Sequence, residues 1–310
     1  MALLLCTLPG AAPNFVAEFK RVAPDLEVRV WPEIGNPDDI EFAALHYFDC
    51  KNLQQFKNLK FVASLFAGLD HLVNDPGMPK GVSIVRAADP KGDHLMNETA
   101  LMHVMRHHRH LHEYVVSQAE REWKPRRPIL RADQRKVGVA GLGQIGLPMA
   151  HYLKQHGFDV AGCARSPRAV EGIEVFHGKE GFGAFLARSE IVVNMLAVTK
   201  ETENIFNSRA FAQMPKGACI VNLARGQHVV EADLMAALDS GQLAGATLDV
   251  FRTEPLPKDD PLWGHRRITI MPHVARMPVP RDIVPQIMEN VRRSQGGKPL
   301  EWVVDRAAGY

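Results

Sequence analysis

KVGVAGLGQIG, Lys136 to Gly146, decides how the rest of this chain is read. An apolar run leads into glycines at 141, 143 and 146, and the helix-like LPMAHYLKQ follows at once. GxGxxG spacing alone is weak evidence; a strand before it and a helix after it make it a dinucleotide-binding turn. Each glycine has its own task. Gly141 permits the tight turn, Gly143 lets a pyrophosphate approach the backbone, and Gly146 lets helix and strand pack closely. Gln144 and Ile145 sit at the helix entrance, where free amides and the positive end of the helix dipole face the phosphates.

Outward from this turn the pattern repeats. The second half of the chain carries FDVAGCA, SEIVVNML, CIVNLA, GATLDV and ITIMP, all short apolar runs separated by helical stretches. The first half shows the same rhythm in LLLCTL, EVRVW, FAALHYF and LKFVASLF, with an amphipathic helix over Phe15 to Val22. Such alternation predicts parallel sheets covered by helices. At 310 residues the chain is too long for one core, since single cores stop growing near ~250–300 residues. The fold class expected is α/β, with two doubly wound, Rossmann-like parallel-sheet domains and a cleft between them.

Composition excludes several function classes. A net charge of +2 gives no reason to expect a nucleic-acid or membrane partner. MALLLCTLPG has no basic n-region and reads as a first buried strand rather than a signal peptide. Cys6, Cys50, Cys163 and Cys219 are scattered, with no CxxC pair, which fits reduced thiols and a cytoplasmic location, where the sequon Asn97-Glu98-Thr99 has no meaning. A long linking helix is expected over 95–118, with His103, His107, His108, His110 and His112 on it. Two of the histidine pairs have metal-compatible i,i+4 spacing, but no cysteine stands by them in that segment. They read as a histidine-rich helix face or subunit surface, and no metal site is expected.

The residues after the second strand of the nucleotide-binding series select the cofactor. GCARSPR, Gly162 to Arg168, has no acid where one would hold a ribose 2′-hydroxyl. Arg165, Ser166 and Arg168 instead offer charge and hydrogen bonds to a 2′-phosphate, so NADP(H) is expected over NAD(H).

Three later segments each place one polar residue at the carboxyl end of a strand, where open α/β sheets bind ligands. They are Arg225 in NLARGQHVVEADL, Glu254 in LDVFRTEPLP and His273 in ITIMPHVAR. A 2-oxo acid needs these types: a cation for its carboxylate and polarised carbonyl, an acid for the developing alkoxide, and a carboxylate to orient that acid.

ARG, DVFxxEP and PHVA behind a GLGxIG turn resemble the D-isomer-specific 2-hydroxyacid dehydrogenases. FAGLD, EPLPKDDPLW and the terminal VDRAAGY look most like the glyoxylate/hydroxypyruvate reductase A branch, and the likeness runs the length of the chain. The resemblance implies His273 as proton donor, Glu254 as its partner and Arg225 as substrate anchor. It implies Asp249, Leu196 and Ala224 on the cofactor, and Phe66, Ala67 and Gly68 on the substrate, with the amides of Ala67 and Gly68 taking its carboxylate. Hydride from NADPH would reach C2 of a small 2-oxo acid, glyoxylate or hydroxypyruvate, giving a D-2-hydroxy acid. The implied architecture is a flavodoxin-like substrate domain from residues 1–92 plus 277–310, a nucleotide domain over 93–276, and a homodimer built on the long helix. Phe66, the His46/Tyr47 pair and Val279 depart from the branch pattern as aligned, which leaves open a larger or different acid. A catalytically weak, nucleotide-sensing protein of the corepressor type is the alternative from another class.

Overall fold

The computed structural model describes every residue except Pro9, Tyr47, Ala67, 87–93, Arg127, Pro128 and 307–310, with the side chain of Asp70 also outside it. The chain divides into two compact units, Met1–Lys91 with Met277–Tyr310, and Gly92–Arg276.

The first unit is built on β1 (Ala2–Cys6), β2 (Glu27–Val30), β3 (Ile40–Leu45), β4 (Phe61–Ser64) and β5 (Ser83–Arg86), all parallel, in the order β2-β1-β3-β4-β5. Alternation along the strands feeds two cores. Leu3, Leu5, Phe42 and Phe61 pack on Phe15 and Phe19 of α1 (Ala12–Val22) and on Ile283 and Ile287 of the C-terminal helix Pro280–Gln295. Leu4, Ala43 and Val62 on the opposite face pack on Leu53 and on Leu72 of α2 (Asp70–Val73). Pro13 in the first turn of α1 and Lys20 and Arg21 in its last suit the missing amide partners and the dipole at those ends.

The second unit carries α3 (His94–His108), α4 (Leu111–Ala119) and then β6 (Lys136–Ala140), α5 (Gly146–Gln155), β7 (Asp159–Ala164), β8 (Glu174–His177), α6 (Gly178–Arg188) and β9 (Ile191–Asn194). Next come α7 (Ser208–Gln213), β10 (Ala218–Asn222), α8 (Glu231–Asp239), β11 (Leu243–Leu248) and β12 (Ile268–Ile270). Its parallel sheet has the order β12-β11-β10-β9-β6-β7-β8. The strand order reverses between β6 and β9, the switch point at which open α/β sheets take ligands. Val137, Val139, Val193 and Val221 pack under α3 and α5, while Val192, Ile220 and Ala246 pack under α6, α7 and α8.

Two strands escaped the sequence pattern. β5 spans only SIVR, and β8 is a half-exposed edge strand, EVFH, so neither makes a sustained apolar run.

The single helix expected over 95–118 is two helices. The chain breaks at His110, which takes φ 57° and caps α4, its carbonyl accepting the amides of Glu113 and Tyr114. Histidine tolerates that left-handed conformation better than branched residues do. The helix also presents the opposite face from the one expected: His103, His107, His108 and His112 are buried, while Leu95, Met102, Met105 and Leu111 are exposed. Its core side is Met96, Ala100 and Val104, and the histidines share that side.

Candidate active site

The three glycines of the turn are required for three different reasons. Gly141 has φ +100°, and a side chain there would meet the Met195 carbonyl oxygen at 2.7 Å, because β6 and β9 are direct neighbours. A Cβ on Gly146 would run into the carbonyl of Gly141. Around Gly143 the space is open, leaving bare backbone to an incoming phosphate. Gly146 is also the first residue of α5, so the amides at that helix start, including those of the exposed Gln144 and half-buried Ile145, line the same turn.

The segment after β7 lies against this turn. Gly162 has no room for a side chain because Leu142 covers it, and Arg168 Nη1 donates to the Leu142 carbonyl at 2.6 Å. Arg165 and Ser166 are exposed beside it. This cradle fits a dinucleotide, and residues 165–168 contain cations and a hydroxyl but no carboxylate.

Arg225 follows β10. Gly226 next to it allows the backbone to press against Phe251, where any side chain would collide with main-chain atoms. That close approach brings Arg225 to the end of β11, and its charge acts on Glu254. Arg225 also donates from Nη1 to the Ala224 carbonyl at 2.7 Å.

His273 Nδ1 and Glu254 Oε2 are 2.7 Å apart. Glu254 is fixed from its other side by the Phe251 amide, which donates to Oε1 at 2.9 Å. Burial pushes the Glu254 carboxyl up, but the His273 hydrogen bond, the Phe251 amide and the His273 and Arg225 charges together hold it below its ordinary value. Glu254 is therefore an anion at neutral pH, and its oxygen accepts from Nδ1–H. Nε2 is left as the atom that exchanges a proton with a ligand.

Arg225, Glu254 and His273 thus converge beside a dinucleotide cradle at the carboxyl ends of parallel strands. The description that matches this half of the chain, over residues 101–275, is "D-isomer specific 2-hydroxyacid dehydrogenase, NAD binding domain". The chain belongs to that family.

Dehydrogenases and reductases of this family match the whole length. Glyoxylate/hydroxypyruvate reductase A of Serratia proteamaculans is 38% identical over 304 residues, 96% of each chain. A D-isomer specific 2-hydroxyacid dehydrogenase from Xanthobacter autotrophicus, solved with NADPH and MES, superposes with a TM-score of 0.92 at 39% identity, covering 100% of this chain and 99% of that one. The NADPH-dependent glyoxylate/hydroxypyruvate reductase of Sinorhizobium meliloti, solved with NADP and sulfate, gives 0.90 at 32% identity with full coverage of both chains.

In this dehydrogenase the sequence reading missed a buried polar ladder. Asn194 Nδ2 is 3.0 Å from both Asn222 Oδ1 and His228 Nδ1, and Asn222 Nδ2 donates to the Arg225 carbonyl at 3.0 Å. The same two asparagines accept the amides of Leu196 and Ala224, through Asn194 Oδ1 and Asn222 Oδ1. The only sequence signal was an asparagine ending each of two apolar runs.

Asp249, expected near the cofactor, is 1% exposed, and its carboxylate accepts the amides of Val274 and Ala275 at 2.8 and 2.9 Å. Its visible work is on the loop that carries His273.

In the first unit, Phe66 follows β4, stacks at a tilt on the buried His46 with centroids 4.4 Å apart, and exchanges short hydrogen bonds with Ser64 Oγ. His46 Nδ1 accepts the Leu8 amide and the Thr7 hydroxyl, so the tautomer carries its proton on Nε2. Gly68 is half-buried on the same loop, while Ala67 and Tyr47 lie outside the described residues. No helix is long and apolar enough to cross a membrane among the described residues.

Proposed function

We propose that this chain reduces small 2-oxo acids, glyoxylate and hydroxypyruvate, to D-2-hydroxy acids, with NADP(H) preferred over NAD(H). The observation that carries the reading is the 2.7 Å contact between His273 and Glu254, with the Arg225 charge beside it. Relatives at 38% and 32% identity carry the glyoxylate/hydroxypyruvate reductase name, and the second is described as NADPH-dependent.

Bound NADPH would supply a hydride for C2 of the oxo acid. Arg225 binds the substrate carboxylate and polarises the carbonyl, placing positive charge where negative charge develops. His273, protonated, gives its Nε2 proton to the carbonyl oxygen, and Glu254 stabilises the imidazolium and fixes its ring. The turn Gly141, Gly143, Gln144, Ile145 and Gly146 holds the pyrophosphate; Leu196, Ala224 and Asp249 border the nicotinamide end. Arg165, Ser166 and Arg168 read the 2′-phosphate. Phe66, Ala67 and Gly68 are the substrate loop, and the His46 platform limits how Phe66 can turn.

The supply of reduced nicotinamide and the four free thiols favour a cytoplasmic location. The exposed Met102, Met105, Leu111 and Val115 on α3 and α4 favour a homodimer, with a second copy of those helices covering them. A charge at Met105 and Leu111 would then yield a monomer by light scattering.

The test of the activity is loss of nicotinamide absorbance with NADPH or NADH against glyoxylate, hydroxypyruvate and phenylpyruvate. Fast oxidation of NADPH by the two small acids is expected. Preference for NADH would remove the role given to Arg165 and Arg168; preference for phenylpyruvate would move the substrate to a larger acid.

A further inference from the structure

The break at His110 does more than end a helix. It turns the chain so that His112 of α4 faces His107 of α3, with ring centroids 4.7 Å apart. Beneath them run β10 and β11, on which Cys219 pairs directly with Gly245. Gly245 is where the rings sit: a side chain there would meet His112 Cδ2 at 2.6 Å and His107 Cε1 at 3.2 Å. The metal-binding atoms of His107, His112 and Cys219, far apart in sequence, all lie within 4.8 Å of one another.

These groups are buried and poorly matched to each other. His107, His112 and Cys219 are 3%, 4% and 5% exposed. Among the described residues His107 Nδ1 has no hydrogen-bond partner, and the His112 ring has at most the Arg106 backbone carbonyl, at poor geometry. Buried polar atoms without partners are rare in folded proteins, because each forfeits its water without replacement. Outer contacts are nevertheless in place: Thr247 Oγ1 lies 3.0 Å from His107 Nε2, and Glu113 Oε1 lies 4.0 Å from His112 Nε2.

We propose that His107, His112 and Cys219 form a buried zinc site in the second unit. Two imidazoles and one thiolate are a donor set of the kind zinc takes, and they leave one position of a tetrahedron for water or for Glu113. The two imidazoles would ligate as neutral rings and the cysteine as its thiolate. Binding then deprotonates Cys219 and releases that proton to solvent, forming the zinc–sulfur bond. The Thr247 hydroxyl orients His107 from outside, as metal-bound imidazoles generally require. Held between α3, α4 and two central strands, the ion would tie the helix pair to the sheet and stabilise the fold.

The test uses the full chain, independent of turnover. The protein is purified in zinc-supplemented buffer, desalted and assayed for metal by mass spectrometry; about one zinc per chain is expected. Cobalt substitution is expected to give a thiolate-to-cobalt charge-transfer band in the near ultraviolet. Cys219→Ser should lose that band, and His112→Gln should bind at least ~10- to 100-fold more weakly, while Cys163→Ser keeps both readouts. Because Cys219→Ser risks misfolding, the wild type decides alone. Zinc at background level, or a cobalt form without the thiolate band, would show that the histidines are only neutral core packing.

Discussion

Asp249 holds His273 in a left-handed backbone conformation from two directions. Its carbonyl accepts the His273 amide at 2.8 Å, and its carboxylate accepts the next two amides, while His273 sits at φ 54°. Strain of this type, of order 1–3 kcal/mol, persists only where surrounding contacts over-determine it. Asp249 is thus a positioning residue for His273, the proton donor proposed above. Asp249→Asn keeps the shape but replaces one acceptor by a donor facing an amide. A fall in kcat of roughly 10- to 100-fold is expected, with NADPH affinity nearly unchanged by fluorescence titration. A matching loss of cofactor affinity would return Asp249 to the cofactor alone.

Direct removal of the proposed proton donor should cost more. His273→Gln is expected to lower kcat by roughly 10²- to 10⁴-fold with folding and NADPH binding intact. Glu254→Gln should fall between His273→Gln and wild type, since the ring keeps a neutral hydrogen-bond partner but loses its anion. Pre-steady-state measurement of hydride transfer separates these losses from slow product release.

Arg168 has a second contact besides the phosphate proposed for it and Arg165. Replacing Arg165 by Ala should raise KM for NADPH by roughly 10-fold or more and leave NADH unchanged. Arg168→Ala also frees the Leu142 carbonyl at the glycine turn. It is expected to weaken NADPH further and to raise KM for NADH as well. Equal effects of both variants on the two cofactors would refute a 2′-phosphate site.

The turn glycines give a contrast between fold and function. Gly146→Ala drives a methyl into the Gly141 carbonyl and should destabilise by about 1–3 kcal/mol. Gly143→Ala meets open space. It should leave the melting temperature within a degree or two, by the usual small effect of unstrained substitutions, yet weaken nucleotide binding by crowding the phosphates. Calorimetry for the first quantity and nucleotide titration for the second distinguish them.

Acid should unfold this protein early. His46 and His103 are each brought down to about 4, by burial first and then by the neighbouring His71 and Arg106 charges respectively. Their ordinary value is 6.5. The unfolded chain therefore takes up protons that the folded chain refuses, so stability is full above pH 6.5 and is lost as pH falls towards 4. Urea midpoints across that window should drop steeply, and less steeply in His46→Gln. A flat profile would mean that these rings protonate in place.

The sequence by itself determined what is local. Apolar runs of strand length, the spacing of Gly141, Gly143 and Gly146, the missing acid after β7, and one polar residue at each of three strand ends all lie within single elements. A period or a short motif reports these directly; they sufficed for the fold class, and they singled out Glu254 and His273, which the fold brings to 2.7 Å. β5 and β8 were lost because four residues at a sheet edge carry too little period.

Tertiary structure decided which residues meet across elements. Periodicity says that a helix has a buried face but not what lies opposite it, so His107 and His112 read as a surface until Cys219 and Gly245 were set under them by the β10–β11 register. The break at His110 depends on one backbone angle that histidine permits but does not demand. Asn194, Asn222 and His228 likewise lie in separate segments, with nothing local to tie them together. Only strand neighbours in space, set by hydrogen-bond pairing between distant parts of the chain, made them one network behind Arg225.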